Sequence, residues 1–178
     1  MLEMQARRTD DFAAFRQLEE ACNRVMSIAQ MHELLYQSGS FSAVDLTAYA
    51  ARLVAQLVAL YSMQDRIEVA VQGETVTIDL ERAVPCGLLL NELVSNACKH
   101  AFPDGGRGRL TVRLMREDEQ IRLEVQDTGI GLPAGFDLTH SDSLGLTIVR
   151  LLTEQLEGSI TIRNEVGVCV EVRFKGSK

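Results

Sequence analysis

The stretch that most limits the fold is residues 81–102, where an apolar helical pattern carries a polar row that a simple core helix would not need. Leu89, Leu90, Leu93, Val94, Ala97 and Cys98 mark the side to be buried. Glu92, Asn96, Lys99 and His100 come at spacings of four, three and one, which places them on a shared helix face. A carboxylate, an amide and an ammonium in one row could hold a metal–phosphate complex. Mg²⁺ takes oxygen ligands and keeps several waters. Asn96 offers a neutral oxygen, Glu92 could orient a metal-bound water, and Lys99 could neutralise phosphate. Taken alone, an ordinary solvated helix face with polar neighbours reads equally well.

The rest of the chain arranges itself around this helix. Over residues 12–36, Phe15, Leu18, Cys22, Val25, Ala29, His32 and Tyr36 recur at three and four, predicting a long helix that needs a helical partner. Gln37-Ser38-Gly39-Ser40 ends it. Ser42-Ala43-Val44-Asp45 reads as a capping box for a second helix carrying Leu46, Leu53, Val54, Leu57, Val58 and Tyr61. Two short strands, 67–71 and 76–80, turn at Gly73-Glu74. The polar-rowed helix is expected over 81–100, with Pro85 tolerable only near its first turn. Alternating strands over 109–116 and 120–127, a polar loop over 128–142, a helix over 143–156 and strands over 159–164 and 168–174 complete the chain. Paired strands alternating with helices predict a mixed sheet covered on one face. There is no internal repeat.

Composition excludes more than it selects. The net charge of −7 argues against non-specific nucleic-acid binding, which relies on Lys and Arg neutralising phosphates. Local backbone N–H groups, a cation and a metal can still hold a nucleotide. Cys22, Cys86, Cys98 and Cys169 show neither C-x-x-C nor zinc-ligand spacing and read as reduced structural thiols. No apolar run approaches membrane-spanning length and no signal peptide is visible, so a cytoplasmic placement is expected.

Two further motifs sharpen the reading. Asp127-Thr128-Gly129-Ile130-Gly131 stands where a strand gives way to a loop. Gly lets the backbone approach a ligand closely, and the carboxylate could accept a hydrogen bond from an exocyclic amine such as that of adenine. Ser143-Leu144-Gly145-Leu146 opens a helix, an end whose free N–H groups and dipole attract phosphate. A plain turn and an ordinary Ser cap are the alternatives. Neither a P-loop nor a G-x-G-x-x-G is present.

In this order the motifs resemble the GHKL ATP-binding superfamily, which includes gyrase, heat-shock protein 90, MutL and the histidine kinases. Glu92, Asn96 and Lys99-His100 match its N box; Asp127, Gly129 and Gly131 match the first glycine box. Gly145 matches the second, and residues 132–142 match a short ATP lid. The run from Val84-Pro85-Cys86-Gly87 to Asn96-Ala97, with Arg24-Val25-Met26-Ser27-Ile28-Ala29-Gln30-Met31-His32, resembles bacterial sensor histidine kinases with the second type of dimerisation and phosphoacceptor domain. The absence of Trp disfavours the related HWE kinases.

The resemblance implies an α/β (α+β) two-layer sandwich, the Bergerat or GHKL fold. Residues 1–40 would form a partial dimerisation region and 41–178 an ATP-binding catalytic domain. It implies ATP and Mg²⁺ as cofactors and transfer of the γ-phosphoryl group to a His, then to an Asp of a response regulator. Asn96 would hold the metal, and Asp127 would read adenine. Lys99, His100 and the helix start at Ser143, Leu144, Gly145 and Leu146 would hold phosphates. Glu92 and Lys99 would be the catalytic side chains. The expected partners are a response-regulator receiver domain, a phosphoacceptor helix and a second copy of the chain.

Some features depart from the family pattern. The phosphoacceptor motif is absent, and Met1-Leu2-Glu3-Met4-Gln5 resembles the family's residues just C-terminal to that motif. His32 lies on the apolar stripe, His100 on the nucleotide helix and His140 in the polar lid; none has an acceptor's context. Only Gly145 is convincing in the second glycine box, and Val168 stands where a Thr often comes after glycine. A GHKL anti-sigma serine kinase, which lacks so long an N-terminal helix, and a non-catalytic docking module with a decayed ATP site are the alternatives.

Overall fold

The computed structural model describes residues 43–133 and 144–176. The helix expected over 12–36, Ser42, Cys22, His32, His140 and Ser143 lie outside them. Strand β1 (Val44–Asp45) leads into helix α1 (Leu46–Leu60), followed by β2 (Ile67–Gly73), β3 (Thr77–Ile78) and α2 (Leu80–Asn96). A π-helical turn (Ala97–Ala101) and a 3-10 turn (Pro103–Gly105) extend α2. Then come β4 (Gly108–Glu117), β5 (Gln120–Asp127), α3 (Leu144–Gln155), β6 (Ser159–Glu165) and β7 (Gly167–Lys175).

The five longer strands form one mixed sheet in the order β2-β4-β5-β7-β6. Only β2 and β4 run parallel, because the chain between them crosses over through α2. The β2–β3 hairpin expected at Gly73-Glu74 does not form. Gly73 sits against the Leu114 carbonyl of β4 with φ of 126°, where any Cβ would fall 1.8 Å from that oxygen. The chain therefore leaves the sheet, and β3, only two residues long, pairs with β1 instead.

Each helix starts on an aspartate where the structure shows its start. Asp45 accepts the Ala48 N–H at 2.9 Å, and Asp79 accepts that of Arg82 at 2.9 Å. Asp45 is thus the cap itself rather than the fourth member of a box begun by Ser42. α1 buries Leu46, Tyr49, Ala50, Leu53, Val54, Leu57 and Val58, a three-and-four spacing along one face. α2 packs between α1 and α3 and buries Ala83, Cys86, Leu89, Leu90, Leu93 and Val94. Truncating a fully buried leucine such as Leu90 to Ala typically costs about 2–5 kcal/mol. Pro85 lies inside α2, beyond its first turn, and is buried. The carbonyl deprived of a helical N–H is that of Glu81, an exposed residue whose backbone water can serve.

The sheet has two unlike faces. Leu110, Val112, Leu114, Ile121, Leu123, Val125, Val170, Val172 and Phe174 are buried beneath the helices. The opposite face is a lattice of charges. Glu124 and Glu171 stand directly opposite each other on β5 and β7. Arg122 reaches both, at 2.7 and 2.9 Å, and Arg113 pairs with Glu124. Arg173 binds Glu171 at 2.7 Å, and Arg163 lies 3.5 Å from it. The Arg173 hydrogen bond, aided by the other guanidinium charges, holds the Glu171 carboxyl below the usual range.

Cys86, Cys98 and Cys169 are free and buried. Burial pushes the Cys98 thiol up to about 11 and raises the other two as well, so all stay protonated near neutral pH.

Candidate functional site

The site lies where the end of α2, the loop after β5 and the start of α3 meet. Asp127 closes β5 with its side chain only 5% exposed. Its Oδ1 accepts the N–H groups of Gly129 at 2.8 Å and Val168 at 3.2 Å. Among the described residues these are the only hydrogen bonds to this carboxylate, which leaves Oδ2 for a ligand. Burial raises the carboxyl above its ordinary value, opposed by those two N–H groups.

Glycine is required around Asp127 for lack of space. A Cβ on Gly167 would fall 2.3 Å from the Asp127 carbonyl oxygen and 2.5 Å from Oδ1, and its φ is 83°. One on Gly129 would fall 2.2 Å from the Ala101 carbonyl. That same carbonyl accepts the Ile130 N–H at 3.0 Å, tying the loop to the end of the helical region.

The N box is built differently. α2 is α-helical through Asn96, and the chain then widens into the π-helical turn that carries Lys99 and His100. The four polar residues therefore do not share one α-helical face as the spacing alone implies, because the wider turn re-aims the last two. Glu92 is buried, Asn96 and Lys99 are half-buried and His100 is exposed. The Lys99 ammonium lies 5.7 Å from the Tyr61 ring centroid at the end of α1. Arg66 secures the chain just beyond by donating to the carbonyls of Phe102 and Gly106.

Gly145 joins the two halves. A Cβ there would fall 3.1 Å from Glu92 Oε2 and 3.8 Å from Asn96 Oδ1. The second glycine box thus abuts the N-box carboxylate and amide across the α2–α3 interface. Leu146 is half-buried, while Leu144 is 56% exposed.

Sequence reasoning missed several contributors. Gly167 and the Val168 N–H complete the Asp127 environment. The Val168 contact is a backbone one, so the expected Thr is not needed for it. Asn164 holds the Leu132 backbone, accepting its N–H at 3.1 Å and donating to its carbonyl at 3.3 Å. The positive φ of Gly131, 76°, seats that loop on Asn164. The legible signal was a glycine after a turn, Val166-Gly167; Asn164 carried none.

Among the described residues no cluster of three or more His, Cys, Asp or Glu could hold a metal ion by itself. An Asn–Glu pair beside a close glycine is a hard oxygen set, which suits a Mg²⁺ that arrives with phosphate and water as its other ligands. No helix among the described residues is long and apolar enough to cross a membrane.

Comparison with known proteins bears on the fold and the family. The family model "Histidine kinase-, DNA gyrase B-, and HSP90-like ATPase" matches residues 81–178. A second, described as "Histidine kinase", matches residues 1–61. The chain is similar to the sensor histidine kinase PdtaS of Mycobacterium tuberculosis, at 37% identity over 92% of this chain and 33% of that protein. It is similar to the blue-light-activated histidine kinase 2 of Erythrobacter litoralis, at 31% identity over 88% of this chain and 46% of that one. The solved histidine kinase domain of the E. litoralis EL346 blue-light activated histidine kinase superposes with a TM-score of 0.79. It shares 27% identity and covers 88% of this chain and 74% of that domain. The chain thus spans between a third and a half of the length of these two curated relatives. With the motifs, the mixed sheet and both models in agreement, the chain belongs to the histidine kinase-, DNA gyrase B- and HSP90-like ATPase family, on its sensor histidine kinase branch.

Proposed function

We propose that this chain is the ATP-binding catalytic part of a two-component sensor kinase. It would present the γ-phosphoryl group to a histidine supplied by a helix with the acceptor motif, for onward transfer to a response-regulator aspartate. The observation that carries the reading is Asp127: a buried carboxylate with one oxygen fixed by two backbone N–H groups and the other left to accept the adenine amine.

Phosphoryl transfer asks the protein mainly for positioning and charge stabilisation. In this reading Asp127 orients the base, while Gly129, Gly131 and Gly167 let the backbone close around it. The start of α3, with Leu144, Gly145 and Leu146, directs N–H groups toward phosphate, and Ser143, the residue before it in sequence, is assigned to the same task. Lys99 and His100 add charge and donors on the π-helical turn. Asn96 holds Mg²⁺, which when bound offsets phosphate charge. Glu92, buried beside Gly145, orients the metal's water or serves as the base. We place the boundary between the dimerisation region and the ATP-binding domain near residue 40, with α1 in the latter because it packs on α2. A homodimer through the N-terminal region and a cytoplasmic setting complete the proposal. The match of the second model to residues 1–61 favours it over an anti-sigma serine kinase.

Calorimetric titration with Mg²⁺ and a non-hydrolysable ATP analogue tests the site. Binding is expected in the unmutated chain, abolished in Asp127→Asn and deprived of its Mg²⁺ dependence in Asn96→Ala. Adding an acceptor-helix fragment with ATP should then yield phosphohistidine. A folded chain that binds no nucleotide would return the docking-module alternative.

A further inference from the structure

Besides the Thr128–Arg109 bonds that continue the β4–β5 pairing and the Gly129 N–H bond to Asp127, three contacts from other segments hold the loop after Asp127. At its start the Val168 N–H bonds Asp127 Oδ1 at 3.2 Å. In its middle the Ile130 N–H bonds the Ala101 carbonyl at 3.0 Å. At its end Asn164 brackets the Leu132 backbone at 3.1 and 3.3 Å. Val168 and Asn164 are register partners in the β6–β7 hairpin, so one hairpin grips both ends of the loop.

We infer that Asn164 is a positioning residue for nucleotide binding, fixing the Gly129–Gly131 backbone against the Asp127 carboxylate from outside the ligand site. The chemistry of the side chain fits the task. A carboxamide carries a donor and an acceptor in one plane, which matches the N–H and C=O of a single residue. An ionised Asp has no donor for the carbonyl, and Ser would have to do both from one oxygen on a shorter side chain. Gly131 makes the approach possible, since a Cβ there would fall 2.4 Å from Asn164 Oδ1. Asn164 itself is exposed, so these bonds contribute little to the core and act on the placement of the loop.

This inference rests on the nucleotide-site reading of Asp127, and its test separates the two. ADP and a non-hydrolysable ATP analogue are titrated into the 178-residue chain and into Asn164→Ala. The variant should bind both nucleotides about tenfold more weakly, by the same factor, because the grip acts at the base end and not on the phosphates. Its Mg²⁺ dependence should persist, its thermal midpoint should hardly move, and the Leu132 amide should exchange faster with solvent. Asn164→Asp keeps an acceptor for the Leu132 N–H but sets oxygen against the Leu132 carbonyl, and should lose at least as much affinity. It serves as the test if Asn164→Ala fails to fold. Affinity within about twofold of the unmutated chain in a folded variant would overturn the inference while leaving the nucleotide site intact. A loss that grows with the number of phosphates would also overturn it. Failure of the unmutated chain to bind ADP would overturn both readings.

Discussion

At Asp127 the atoms proposed to meet the ligand are held by backbone. Two N–H groups fix one carboxylate oxygen, and glycines at 129 and 167 leave room for nothing larger than hydrogen. At Asn96 they are held by side chains. Glu92, Asn96 and Lys99 project from the end of a helix that widens to a π turn, and their neighbours are a glycine and an aromatic ring. A backbone-built end tolerates no change but needs no repositioning when a ligand arrives. A side-chain-built end can shift with metal and phosphate, at the cost of ordering flexible groups.

That contrast can be broken from the backbone end first. Asp127→Asn should weaken ADP binding by at least about a hundredfold, to the point where calorimetry registers no binding, since it removes a charged acceptor from a dry setting. Gly167→Ala should destabilise the fold by about 2–3 kcal/mol in urea denaturation, because it combines a positive φ with a clash against Asp127. Matching losses at Gly145→Ala would erase the contrast. There the tight contact is with the side-chain end of Glu92 alone, at 3.1 Å, and only a few-fold loss of affinity, about fivefold, is expected. The smallest effect concerns Lys99 and Tyr61. A double-mutant cycle with Lys99→Met and Tyr61→Leu should return a coupling of about 0.5–1 kcal/mol.

Acid sharpens the same comparison, with two opposite signs. The Asp127 carboxyl is raised in the folded chain above an unfolded value near ~3.9, so the native state takes up its proton first on acidification. This group's contribution to stability is therefore present below the unfolded value and lost as pH rises through the folded one. In the proposed reading nucleotide binding uses the ionised form and should fall with acid over that same window. Asp127→Asn should flatten this part of the stability profile; an unchanged profile would show that burial does not govern the group.

The chemical motifs stood out because each is a short run of sequence, Glu92 to His100 and Asp127 to Gly131; their part in nucleotide recognition is the proposed reading. The mixed sheet with helices on one face could be read from alternating strands and helices. What stayed hidden depends on distant partners. Asn164 and Leu132 are 32 positions apart, and a lone Asn at a strand end resembles any turn residue. The strands around Gly73 looked like a hairpin because only the Leu114 carbonyl, contributed by β4, shows why they cannot pair. The π turn was equally invisible, since spacing arguments assume one helical period throughout.

The charged face of the sheet has a consequence for how the chain finds its pairing. Glu124 and Glu171 oppose each other only in the native register, where Arg113, Arg122, Arg163 and Arg173 surround them. Sliding β7 by one residue turns its Glu and Arg side chains toward the helices and its valines toward water. Sliding it by two keeps each side chain on its proper face and carries Arg173 along with Glu171, so only the cross-strand partners of Glu124 and Glu171 change. Register is thus set first by the alternation of apolar and polar residues, which rejects the one-residue slip, while the lattice distinguishes the two-residue slips by which guanidinium groups face Glu124 and Glu171.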